Sequence, residues 1–231
     1  MRIHLQRDIA KLNRGVLALI AEVENDVRTA VRAFEDRDEM LARQVVDREA
    51  RTDVMEVDLE DDCLKTLALH QPVATDLRYI VSVLKLNRDL ARIGGLAAHI
   101  AQRALFLCGQ PQIDIPFRIG EMADKSQAML KKVMDAFVNM DAAAAKEVCA
   151  DGSEIYALNA DTYKQVKKAV LQTPALFPQL LNILHVSRHL ERIADHATKI
   201  AEDLIYLTEG HIVRHSQDVS GKALPRTHPQ A

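Results

Sequence analysis

The sequence predicts an all-α fold: six long helices forming two tandem three-helix bundles related by internal duplication. Three observations carry this reading. Apolar residues recur at steps of three and four along almost the whole chain, the spacing of one buried helix face. Only 8 Gly, 7 Pro and no Trp interrupt a composition rich in helix-forming side chains, which disfavours a β-sandwich. Two stretches about a hundred positions apart are nearly the same: NRDLARIGGLAAHIAQR from Asn87 and SRHLERIADHATKIAED from Ser187.

The elements follow in order. Leu5, Ile9, Leu12, Val16, Leu19 and Val23 stripe the first helix. FEDRDEM, around Phe34 to Arg37, breaks it and offers an acidic cap for the second. HQPVATD, around Pro72, is a short loop leading into the third helix, whose stripe is Val83, Leu86, Leu90, Ile93, Ala97, Ile100, Ala104 and Leu107. CGQPQIDIPF, residues 108–117, is the strongest punctuation and the predicted boundary between halves. Met122, Met129, Met134 and Met140 read as core filling along the fourth helix. Asp141 caps the fifth, and QTPALFP around Pro174 mirrors the Pro72 loop. The sixth carries Ile183, Val186, Leu190, Ile193, Ala197, Ile200, Leu204 and Leu207. Residues 1–110 and 111–210 thus form the two repeats, and 211–231 a flexible tail without periodicity. Arg88/Arg188 and Arg92/Arg192 match between the copies along with the apolar positions, which points to duplication over chance.

Composition narrows the function classes. A net charge of -3 with no Lys/Arg block argues against nucleic-acid binding. The start, MRIHLQRDIAKLNRG, is charged throughout and lacks the apolar centre of a signal peptide. No apolar run reaches the roughly 18 residues of a membrane span. Cys63, Cys108 and Cys149 are far apart and odd in number, which suits buried thiols in a reducing cytoplasm. No nucleophile–base set or glycine-rich phosphate loop suggests an enzyme.

With the apolar series at positions a and d, Glu191 falls at b, and Asp195 and Glu202 fall at f, facing away from the core. Their counterparts in the early copy are Ala91, Gly95 and Gln102. The second helix offers Glu49, Asp53, Glu56 and Glu60, and the fifth Glu147, Asp151 and Glu154. Two acids four residues apart can reach one hard cation, and a second such pair from a neighbouring helix would complete an oxygen-rich cage. The plainer reading is a solvated face, since Arg188, Arg192 and Lys199 sit where surface ion pairs form. His185 and His189 have a spacing that can hold zinc, but without an intervening Glu they read as surface or packing histidines. A di-iron enzyme would need inward Glu-x-x-His pairs, and the third residue after Glu191 is Ala194.

RHLERIADHATKIAED, QPVATDLRYIVSVLKLNRDLARI and YLTEGHIVRH closely resemble the PhoU family of bacterial phosphate-uptake regulators, from the first helix to about His215. The resemblance implies a cytoplasmic homodimer that is not an enzyme. It implies an adaptor between the ATPase subunit of a phosphate ABC transporter and a sensor histidine kinase, repressing the phosphate-starvation response. Such a protein meets the membrane only through its partners and binds no nucleic acid. The alternative is a carboxylate-rich metal-binding or metal-storage protein.

The resemblance also implies metal binding through E/D-x-x-x-D motifs. Glu191 and Asp195 match the motif in repeat two, and Glu49 and Asp53 match it in repeat one. Ala91 and Gly95 replace both acids of the third helix. On the fifth helix Asp151 aligns, with the second acid falling on Ile155 or, after a slip, on Glu154. At most one centre is therefore expected, holding iron, zinc, manganese, magnesium or calcium, if Asp151 or Glu154 faces Glu191 and Asp195; otherwise none. Ala91, Gly94, Gly95 and Ala98 are expected to form a smooth exposed strip. Two mid-helix glycines cost about 1 kcal/mol each relative to alanine, so a dimer or partner contact is the expected use of that strip.

Overall fold

The computed structural model describes residues 2–113 and 117–210. Its elements are α1 (Arg2–Glu35), α2 (Glu39–His70), α3 (Ala74–Cys108), α4 (Ile119–Asn139), α5 (Ala142–Gln172), a 3-10 turn (Pro174–Leu176) and α6 (Phe177–Glu209). Among the described residues there is no strand. The tail predicted for 211–231 lies outside them.

Local chemistry sets the helix ends. The Asp38 side chain accepts from the Leu41 amide at 3.0 Å, and Asp141 accepts from Ala143 and Ala144 at 2.9 and 3.0 Å. Each occupies the N-cap and satisfies amides that lack a partner in the first turn. The residue before each cap, Arg37 or Met140, takes a left-handed φ of 52° or 54°. Met140 therefore ends α4 as an exposed cap residue instead of filling the core, whereas Met122, Met129 and Met134 are buried as predicted. Arg37 also donates to the Leu107 and Gln110 carbonyls at 3.1 and 2.7 Å, holding the α1–α2 turn on the end of α3. The two loops predicted to mirror each other differ, because Pro174 starts a 3-10 turn that the Pro72 loop lacks.

The first three helices pack as one bundle and the last three as another. Their third helices, α3 and α6, lie against each other and run antiparallel. Lys85 faces Asp203, Asp89 faces His196, His99 faces His189, and Arg103 faces Asn182. α1 also touches α4, so a single core runs through both bundles. Leu90, Ile93 and Ile100 and their counterparts Leu190, Ile193 and Ile200 are all buried at its centre. This placement explains why the third helix keeps its sequence best between copies. It is covered by both neighbours in its own bundle and by its counterpart, which restricts side-chain size on several sides.

Polar ties cross the bundles at buried points. Asn87 of α3 donates to the Glu56 carbonyl of α2 at 2.8 Å. Ser126 of α4 donates to the Leu190 carbonyl of α6 at 3.2 Å. Burial pushes the Cys63 thiol up to about 12 and the Cys149 thiol up to about 11. Thiols held protonated in this way are packing groups with little nucleophilic character.

Candidate functional site

The carboxylates of α6 are not on an open face. Glu191, Asp195 and Glu202 are half-buried, because α5 lies along the flank that the heptad pattern leaves free. Asn159 of α5 donates to Glu191 Oε2 at 2.7 Å, and Ser187 donates to Asn159 Oδ1 at 2.6 Å. The Tyr156 hydroxyl donates to Asp195 Oδ1. Burial raises the Glu191 pKa, while the Asn159 hydrogen bond opposes the rise. Burial, followed by the bond to Asp195, pushes the Tyr156 hydroxyl well above its ordinary value. The pair therefore forms a polar clasp between α5 and α6.

Asp151 and Glu154 do not join it. Both are exposed and turn toward α4, where Lys132 meets Asp151 at 3.2 Å and Glu147 at 2.9 Å, and Lys125 meets Glu154 at 2.5 Å. The capping aspartates explain why. With Asp38 matched to Asp141, the buried Ala42, Val45, Thr52, Cys63 and Thr66 fall on the buried Ala145, Val148, Ile155, Val166 and Ala169. In that register Glu49 and Asp53 correspond to Gly152 and Tyr156, so neither Asp151 nor Glu154 occupies a motif position.

Each bundle thus keeps one half of a carboxylate set, on opposite helices. In the first, Glu49 on α2 lies beside the bare Gly95, where an added Cβ would sit 4.0 Å from Glu49 Oε1; Asp53 is exposed. In the second, Glu191 and Asp195 on α6 face Asn159 and Tyr156. Among the described residues no group of three or more His, Cys, Asp or Glu side chains is placed to hold a metal ion. The donor set does not fit a shared metal in either groove.

The strip of small residues is also covered. Gly94 and Ala98 are buried, and Ala91 and Gly95 are half-buried. A Cβ on Gly94 would stand 3.1 Å from Thr52 Cγ2 of α2. The close approach that Gly94 permits is therefore made by α2 of the same bundle. Tyr156 and Asn159 were not recognised from sequence; aligning the copies on Asp38 and Asp141 instead of on nearby acids would have found them.

The family model described as the PhoU domain matches this chain twice, over residues 16–104 and 119–204. The chain belongs to the PhoU family. Its relatives include the phosphate-specific transport system accessory protein PhoU homolog of Pseudomonas aeruginosa, 35% identical over 90% of this chain and 86% of the relative. The homolog of the same description from Aquifex aeolicus is 32% identical over 91% of this chain and 96% of the relative. The crystal structure of PhoU from Pseudomonas aeruginosa superposes with a TM-score of 0.87 at 32% identity, covering 89% of this chain and 99% of that one. The two matches of the PhoU domain fall one on each bundle, so each PhoU domain is a three-helix unit here.

The clasp in the second PhoU domain gives a direct prediction. Tyr156→Phe removes the donor to Asp195 and nothing else, and is expected to lower the unfolding free energy by about 1 kcal/mol. Urea denaturation of the two proteins measures it, and an unchanged midpoint would show that the clasp contributes nothing to holding α5 on α6.

Proposed function

We propose that this chain is an accessory regulator of a phosphate transport system. It acts as a cytoplasmic adaptor between the transporter's ATPase subunit and a sensor histidine kinase, and holds the phosphate-starvation response off when phosphate is plentiful. The observation that carries this reading is the paired PhoU-domain match, together with relatives named as accessory proteins of phosphate-specific transport that align over most of their length. No catalytic step is assigned to it. The homodimer belongs to the same reading.

Surface chemistry supports docking as its mode of action. Val54, Val57 and Leu64 are exposed on α2 at steps of three and seven, so one side of that helix carries apolar groups in contact with water. A helix face of this kind is suited to protein contact. No helix of the described residues is long and apolar enough to cross a membrane.

The test is genetic. Deleting the gene is expected to raise starvation-gene expression in high phosphate, with repression restored by the wild-type chain. Unchanged repression in the deletion strain would reject the regulatory role. Retained repression without capture of either ATPase subunit or kinase would reject the adaptor mechanism.

A further inference from the structure

The two ends of the α3–α6 seam are related by the same duplication as the bundles, yet their charge differs. At one end Lys85 meets Asp203 at 3.3 Å, and Asp89 meets His196 Nδ1 at 2.7 Å. The matching positions at the other end are His185 for Lys85, His189 for Asp89 and Arg103 for Asp203. Both acids have become basic side chains. His99 joins them from α3, with its ring centre 5.3 Å from that of His189, and the ring centre of His185 lies 6.3 Å from that of His189.

These groups lack the negative partner that the first end has. His189 Nδ1 and Nε2 and Arg103 Nε are buried without a hydrogen-bond partner, and the bond from Arg103 to Asn182 is long at 3.4 Å. None of His99, His185, His189 or Arg103 makes an ion pair with a described carboxylate. Orphaned buried donors of this kind are rare, and a charged donor left so is the more unfavourable case. Arg188 and Arg192 stand close enough to act on the histidines, although Arg188 is shared with Glu191. A metal cation is the wrong occupant for a site surrounded by guanidinium groups. A small oxyanion is the right one: it accepts from several directions and supplies the missing charge.

We propose that this end of the α3–α6 seam binds a phosphate-type oxyanion, with Arg103 and His189 as its principal donors and His99 and His185 closing over it from the surface. His99 is exposed and His185 half-buried, so both rings stand on the solvent side of the cluster. The groups acting on His189 are His99 and Arg103 from α3 and His185 and Arg192 from α6, all of which favour its neutral form along with burial. An anion would reverse that balance, so binding draws in protons. The site does not depend on the adaptor reading.

Imidazole NMR of the full chain tests it, with inorganic phosphate titrated at near-neutral pH and constant ionic strength against chloride. The expected result is a saturable movement of the His99, His185 and His189 resonances in phosphate but not chloride, with proton uptake in weak buffer. Arg103→Met should weaken the response about tenfold or more. His99→Ala changes only an exposed side chain, so it should also weaken the response without endangering the fold, and Lys85→Met at the paired end should leave it intact. Unmoved resonances in millimolar phosphate, an equal response to chloride, or an undiminished response in both Arg103→Met and His99→Ala would overturn the site. None of these results bears on repression or partner capture.

Discussion

Gly94→Leu is expected to lower the unfolding free energy by about 2 to 3 kcal/mol, and the neighbouring Gly95→Ala to raise it by about 0.5 to 1 kcal/mol. The contrast between adjacent glycines comes from which side of α3 each occupies. Gly94 is buried under α2, where a first side-chain carbon would already stand 3.1 Å from Thr52 Cγ2 and 3.9 Å from Val23 Cγ2. The remaining leucine atoms have nowhere to go unless α2 moves, and overpacking of this kind outweighs the modest gain in helix propensity. At Gly95 the nearest atom is Glu49 Oε1 at 4.0 Å, which is ordinary contact, so alanine adds propensity without strain. Urea denaturation measures both changes. If Gly94→Leu instead folds with wild-type stability and alters only the mass of the particle in solution, the strip is an intermolecular contact and the packing of α2 described here is wrong.

His189→Leu is expected to make the protein less sensitive to acid. Burial and the surrounding basic groups push the His189 pKa from 6.5 down to about 4. Between about pH 6.5 and pH 4 the unfolded chain therefore binds a proton at this position that the folded chain refuses. Stability contributed by the neutral ring is present above the unfolded pKa and falls as pH drops through that window. Asp26 works in the opposite direction. Burial and the nearby Glu22 charge raise its pKa to about 6, against the opposing pull of Arg48, so over the same window the folded chain holds the extra proton and gains stability. Glu24, Glu35 and Glu191 are raised as Asp26 is, and His185 is lowered as His189 is, so the wild-type profile sums opposed slopes and the variant isolates the part that belongs to His189. On going from near-neutral pH to about pH 5, the unfolding free energy of His189→Leu should fall less than that of the wild type, or rise where the wild type stays level, because the opposing Asp26 slope is left unbalanced. Equal differences in the two proteins would mean that His189 titrates freely, and that the all-basic end of the seam does not suppress its charge.

Much of the architecture was legible in the residues themselves. The stripes through Leu90 and Ile93, and through Leu190 and Ile193, placed the buried faces of α3 and α6. Asp141 was legible as a cap because a short acceptor before a run of alanines has one obvious use at a helix start. Met140 was misread because periodicity continues through it, whereas the left-handed turn before Asp141 depends on backbone geometry that no spacing records. The carboxylates show the same limit. Their heptad positions correctly turned Glu191 and Asp195 away from the seam, but the flank they turn toward is covered by α5. In a three-helix unit a position off the a/d stripe still meets a neighbour, because each helix packs against two others.

The sequence by itself determined that this chain is helical and duplicated, with apolar stripes along α1, α3 and α6, because those properties are written in residue type and in spacing along one helix at a time. Tertiary structure alone decided what each flank meets: that Gly94 admits α2, that Tyr156 and Asn159 fill the places opposite Asp195 and Glu191, and that His99 and His189 from different bundles come together without an acid between them. The physical reason is that a helical repeat fixes a side chain's angle about its own axis, while the identity and register of the neighbour at that angle depend on how separate helices pack.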